Sequence, residues 1–158
     1  MRKTSWKTYA FWIAATELVG VIAGLLTREG TRLYNEQIVQ PPLSPPAIVF
    51  PIVWAVLYAL MGVGAARVYS APASAARSRA LQLYLIQLAF NFVWSFLFFN
   101  LQAFGVAFVW LLALWALILM MLLAFLRVDR TAALLQIPYL IWVTFAAYLN
   151  LGVWLLNG

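Results

Sequence analysis

The sequence runs to 158 residues, 66 % of them hydrophobic and 9 % charged, a balance that marks an integral membrane protein and not a water-soluble domain. Cysteine and histidine are both absent, which excludes disulfide scaffolds, zinc sites, His- or Cys-ligated haem, cysteine nucleophiles and Ser-His-Asp chemistry. The net charge of +6 is spread over the whole chain and forms no nucleic-acid stripe, so no nucleic-acid partner is expected and the charge is read as a topology signal.

Apolar runs of about 20 residues, the length that crosses a bilayer core as a helix, fall at 8–27, 47–69, 80–100, 105–126 and 131–155. They show no period-two alternation, which disfavours an outer-membrane barrel. The pattern predicts an all-α, five-transmembrane-helix bundle, a single domain over 1–158 with no internal repeat. The first run follows Arg2, Lys3 and Lys7 as a signal peptide would, but it carries Glu17 and continues past a signal core, so it is read as a mature first helix. Five spans place Arg2, Lys3, Lys7, Arg67, Arg77, Arg79, Arg127 and Arg130 on one side and only Arg28 and Arg32 on the other. The positive-inside rule then predicts a cytoplasmic N terminus, in a bacterial cell membrane.

Within the first helix, Glu17 is the only acid inside any span, and an intramembrane carboxyl is costly enough to be a functional candidate. It is expected to be protonated or bonded to polar groups of another helix. Gly20 and Gly24 form a small-xxx-small pair that lets a neighbouring helix approach. The connection over 28–46 is long for a bundle and carries Glu29, Tyr34, Asn35, Glu36, Gln37, Gln40 and the prolines Pro41, Pro42, Pro45 and Pro46, the composition of a lid or binding loop. Pro45 and Pro46 fix how that loop leads into the second span. Pro51 is expected deeper, as a kink that frees a carbonyl near Trp54.

The third span carries Gln87, Asn91 and Ser95 four residues apart, one polar stripe that must face the bundle. Such amides serve either as interhelical bonds or as ligand contacts, and Phe90, Trp94 and Phe98 on an adjacent face favour a cavity. In the fifth span, Pro138 is again placed inside a helix with Trp142 one turn beyond, followed by Phe145, Tyr148, Asn150 and Trp154. Trp6, Trp12 and Trp154, near span ends, fit an interfacial belt, which explains Trp54 and Trp142 less well.

Three stretches resemble the TspO/MBR family, the tryptophan-rich sensory proteins whose animal members are the translocator protein or peripheral benzodiazepine receptor. They are Pro41-xxx-Pro45-Pro46 followed by Trp54, Gln87-Leu-Ala-Phe-Asn91-Phe-Val-Trp94, and Pro138-Tyr-Leu-Ile-Trp142-xx-Phe145-Ala-xx-Leu149-Asn150. The resemblance implies a five-helix bundle whose long first loop caps a ligand cavity, often in a homodimer. It implies ligands such as protoporphyrin IX, isoquinoline carboxamides and benzodiazepines, bound by Tyr34, Pro45, Pro46, Trp54, Tyr58, Gln87, Phe90, Asn91, Trp94, Trp142, Phe145 and Ala146. Some bacterial members are similar to a photochemical enzyme that degrades protoporphyrin, and its two implicated tryptophans match Trp54 and Trp142. Such chemistry requires no cofactor beyond the porphyrin itself, and the lack of His and Cys suits a metal-free macrocycle. Loop one departs from the family pattern at Leu33-Tyr34, Gln40-Pro41 and Leu43, and no basic residue follows Arg130, so the animal cholesterol motif is absent and cholesterol is not expected as a partner. The alternative reading is a transporter of porphyrins or other hydrophobic small molecules, with Glu17 as its coupling group.

Overall fold

A computed structural model describes residues 3–158; the Arg2 of the charge pattern lies outside them. Five segments are long and apolar enough to span a membrane, Trp6–Leu26, Val49–Tyr69, Ala75–Asn100, Phe104–Leu126 and Arg130–Asn157, and the described residues form no strand. The helices are α1 (Trp6–Leu26), α2 (Arg28–Gln37), α3 (Val49–Tyr69), α4 (Ala75–Ser95), α5 (Phe104–Leu126), α6 (Arg130–Leu134) and α7 (Ile137–Asn157), with a π-helical turn, Phe96–Asn100, continuing α4.

α4 bonds to all four other spans, to α5 through Trp110, whose indole donates to the Phe90 carbonyl at 2.9 Å. Its Tyr84 hydroxyl shares a hydrogen bond with Thr16 of α1, its Asn91 accepts from Tyr58 of α3 at 2.9 Å, and its Trp94 donates to Asn150 of α7 at 3.0 Å. α5 packs along α4 and α7 and supplies Leu111, Leu114, Ile118, Met121 and Phe125 to the core. In lipid, apolar side chains are as well solvated outside as inside, so close packing and buried hydrogen bonds carry the association.

Three details of the expected architecture are corrected. The long first connection is not a plain loop, because its first half is the amphipathic helix α2. Pro51 does not kink a helix from within: α3 begins at Val49, so Pro51 sits in the first turn, where a missing N–H costs nothing. Pro138 likewise stands at the start of α7, after the separate turn of α6, and Trp142 lies one turn into a fresh helix.

Within the single chain, the small-residue contact between helices is at Gly62; the sequence left open whether the Gly20–Gly24 pair meets a helix of the same chain or of a second copy. Gly20 and Gly24 meet no neighbouring backbone of the chain: a Cβ on Gly20 would meet the Tyr58 ring at 2.5 Å, and one on Gly24 would meet nothing within 4 Å. The close approach of α1 and α3 is at Gly62, where a Cβ would stand 2.8 Å from the Ile13 nitrogen and 2.9 Å from the Trp12 carbonyl oxygen. There the two backbones touch, and only glycine permits it.

Candidate functional site

At the end of the bundle beneath α2, the helices part around a cavity of about 740 Å³, within the range of small-molecule sites. α3 contributes Phe50, Trp54 and Tyr58; α4 contributes Asn91, Trp94 and Ser95; α7 contributes Trp142, Ala146, Leu149 and Asn150. The wall from α1 is thin, with Glu17, Gly20 and Gly24 on it, one face of a helix at spacings of three and four. Space exists because bulky rings meet edge to face without closing on one another. Trp54 and Trp142 stand perpendicular at 6.4 Å between centroids, and Trp54 lies tilted over Tyr58 at 5.7 Å.

Behind the rings runs a saturated polar network. The Tyr139 hydroxyl donates to Gln87 Oε1 at 2.7 Å and accepts from Asn91 Nδ2 at 2.7 Å, while the Tyr58 hydroxyl donates to Asn91 Oδ1 at 2.9 Å. Gln87 Nε2 bonds to the Tyr84 carbonyl at 3.0 Å. Asn150 accepts from Trp94 and donates to the Phe104 carbonyl at 2.9 Å. This network fixes which way Tyr58, Asn91 and Trp94 present themselves. Trp142 and Glu17 stand outside it. Trp142 Nε1 is buried without an acceptor, and the Glu17 carboxyl, on the cavity wall, makes no hydrogen bond or ion pair with the described residues.

The lid is α2 with the extended strip behind it. Gly30 sits on the π-helical turn so closely that a Cβ would collide with the Phe99 carbonyl oxygen. Tyr34, 5 % exposed, packs on Phe98 and Phe99 with centroids 5.2 and 5.5 Å away. Burial pushes its phenol up to about 12. Beyond α2 the strip is tied to α7: Asn157 Nδ2 donates to the Val39 carbonyl at 2.7 Å, Val39 N donates to Asn157 Oδ1 at 3.1 Å, and Tyr148 donates to the Pro42 carbonyl at 2.7 Å. On the outer face of α2, Arg32 pairs with Glu29 and Glu36, and its guanidinium holds the Glu29 carboxyl below the usual range.

Of the residues singled out from the sequence, Tyr34, Trp54, Tyr58, Asn91, Trp94, Trp142 and Ala146 meet around one cavity. The other five do not line it. Gln87 is fully buried behind it in the polar network. Phe90 points toward α5, stacked on Trp110 at 4.4 Å. Phe145 lies with Trp142 along a separate apolar groove between α3 and α7. Pro45 and Pro46 shape the approach to α3, the Pro46 carbonyl accepting from Val49 N at 3.0 Å. Sequence reading passed over Phe50 and Phe99 as cavity residues. The π-helical turn delivers Phe99, and nothing in helical periodicity announces such a turn.

The chain matches the model of the TspO/MBR family over residues 12–155. It belongs to the TspO/MBR family. Among relatives, it is 36 % identical to the tryptophan-rich protein TspO of Chlorobaculum tepidum over 95 % of this chain and 96 % of that one. It is 32 % identical to the tryptophan-rich sensory protein of Cereibacter sphaeroides over 96 % and 92 %, and 36 % identical to the translocator protein of Ovis aries over 80 % and 75 %. This TspO/MBR chain is thus an integral membrane protein whose family cuts across bacterial and animal proteins.

Proposed function

We propose that this TspO/MBR protein binds tetrapyrroles, protoporphyrin IX above all, and flat benzodiazepine-type ligands in the cavity beneath α2. The observation that carries the reading is the perpendicular pair Trp54 and Trp142, 6.4 Å apart, on an apolar chamber with one buried indole N–H unpartnered. A flat macrocycle can lie against either indole face. Light adds a second role: an indole in contact with an excited porphyrin can exchange an electron with it, and with dissolved dioxygen as the terminal electron acceptor Trp54 and Trp142 are the residues for photo-oxidative turnover. The charge pattern supports a cytoplasmic N terminus, with the lid on the opposite side of a bacterial membrane.

Titration of purified protein with protoporphyrin IX tests both roles, following tryptophan quenching in the dark and porphyrin absorbance under light. Saturable quenching is expected, with light-dependent loss of the porphyrin band that disappears in the Trp54→Phe, Trp142→Phe double variant. Unchanged affinity, quenching and bleaching in that variant would falsify the assignment.

A further inference from the structure

Two charge-bearing groups on the cavity wall, Glu17 and Arg28, make no side-chain hydrogen bond or ion pair with the described residues, and of these Glu17 lies within a span. Glu17 is twelve residues into α1 and lies on the cavity wall, one turn before Gly20. The amides that could have bonded it are taken: Asn91 by Tyr58 and Tyr139, Gln87 by Tyr139 and the Tyr84 carbonyl. The hydroxyls of Thr16 and Tyr84 bond to each other. Arg28 is the only Lys or Arg among the described residues on the wall, and it opens α2, beyond the end of α1 at Leu26. An ionised carboxylate inside a bilayer is stable only with a positive partner. Among the described residues no cation stands beside it, so the carboxyl either keeps its proton or draws that partner from a bound molecule.

The surroundings also suit a cation. Gly20 leaves room for the Tyr58 ring to lean on α1, so the ring lies within a turn of Glu17. Tyr58 is followed by Trp54 at 5.7 Å and then by Trp142 at 6.4 Å. A run of aromatic faces beginning beside a carboxylate offers ring quadrupoles and a counter-ion to the same positive group.

We propose that the cavity selects organic cations, holding a flat apolar body among Trp54, Trp142 and Tyr58 and placing an ammonium or iminium group against Glu17. The proposal rests on the cavity being a ligand site and adds the charge of the ligand it prefers. A tetrapyrrole with acidic side chains then binds with those groups directed away from Glu17, toward Arg28.

The test uses two probes of one shape, (naphthalen-2-ylmethyl)trimethylammonium and its uncharged carbon isostere 2-neopentylnaphthalene, by equilibrium dialysis against the full-length protein in nanodiscs, with empty nanodiscs subtracted. The cation is expected to bind the parent about ten-fold more tightly than Glu17→Gln, with the isostere binding both alike. Equal cation affinity in the parent and Glu17→Gln, or no cation binding by the parent, overturns the proposal. Protoporphyrin quenching by Glu17→Gln reports that the cavity is intact; should that be lost, Glu17→Asp takes its place and must keep the cation preference. Cation binding by a parent that does not quench with protoporphyrin overturns the porphyrin reading alone. Quenching without Glu17-dependent cation binding overturns this one alone.

Discussion

The two ends of the bundle are built from the same helices and solve opposite problems. At the end away from the lid, α3 presents Met61, Gly62, Gly64, Ala65, Ala66 and Val68, all buried, and closes on α1 backbone to backbone. Arg67 pairs with Asp129 at 3.0 Å and donates to Tyr9 at 3.2 Å, joining α1 and α3 to the turn before α6. Two turns earlier the same α3 carries Trp54 and Tyr58, whose rings stand off their neighbours and leave a chamber. Small residues let helices shut, and large rings meeting edge to face hold them apart. Stability is therefore concentrated at one end and ligand space at the other, within single helices.

If that division is right, damage to the closed end lowers stability and leaves binding alone. The largest effect is expected from Asp129→Ala. The carboxylate is 5 % exposed, pairs with Arg67, and caps α6 by accepting from Thr131 N at 2.9 Å and Ala132 N at 3.3 Å. Losing it strands a partly buried guanidinium and uncaps a helix, a cost of about 3 kcal/mol. A lower thermal midpoint with unchanged protoporphyrin affinity in the cold is the expected pair of results. Weakened porphyrin binding by the still-folded variant would show that the two ends are coupled.

The complementary substitution is Gly24→Leu at the open end. A side chain there meets no atom within 4 Å of its Cβ and grows into the cavity. Stability should hold or rise by up to about 1 kcal/mol, since an exposed helical glycine is replaced, while protoporphyrin affinity falls about ten-fold or more through lost volume. Reduced stability with intact binding would reverse the assignment of the two ends.

Much of this was legible in the sequence because bilayer thickness sets span length and a membrane interior forces polar side chains inward. The Gln87–Asn91 stripe announced a buried network, while the positions of Trp54 and Trp142 said only that they fit an interfacial belt poorly; that they face one cavity came from the family resemblance and not from spacing. What was not legible depends on partners. Whether Gly20, Gly24 or Gly62 makes the helix contact is decided by what stands opposite, here a tyrosine ring, open space and a backbone. Pro51 and Pro138 looked intrahelical because hydropathy marks apolar runs and not where a helix begins. Glu17 could be found but not paired, since its candidate amide partners turned out to be satisfied by tyrosines 58 and 139.

The smallest expected effect is confined to the lid, where Tyr34 joins α2 to the aromatic floor. Its phenol titrates at about 12 in place of the usual value near 10 because burial disfavours the phenolate. A raised value in the docked state means that α2 docking is unaffected below pH about 10, where Tyr34 is neutral whether docked or free. As pH climbs from about 10 to about 12 the undocked form loses its proton first, so docking weakens over that interval. Subtracting the Tyr34→Phe absorbance titration from that of the parent isolates this one phenol. A difference curve centred near 12 is expected. One centred near 10 would mean that Tyr34 is solvated, that α2 stands away from Phe98 and Phe99, and that the cavity lacks the lid which separates it from the closed end's economy of small residues.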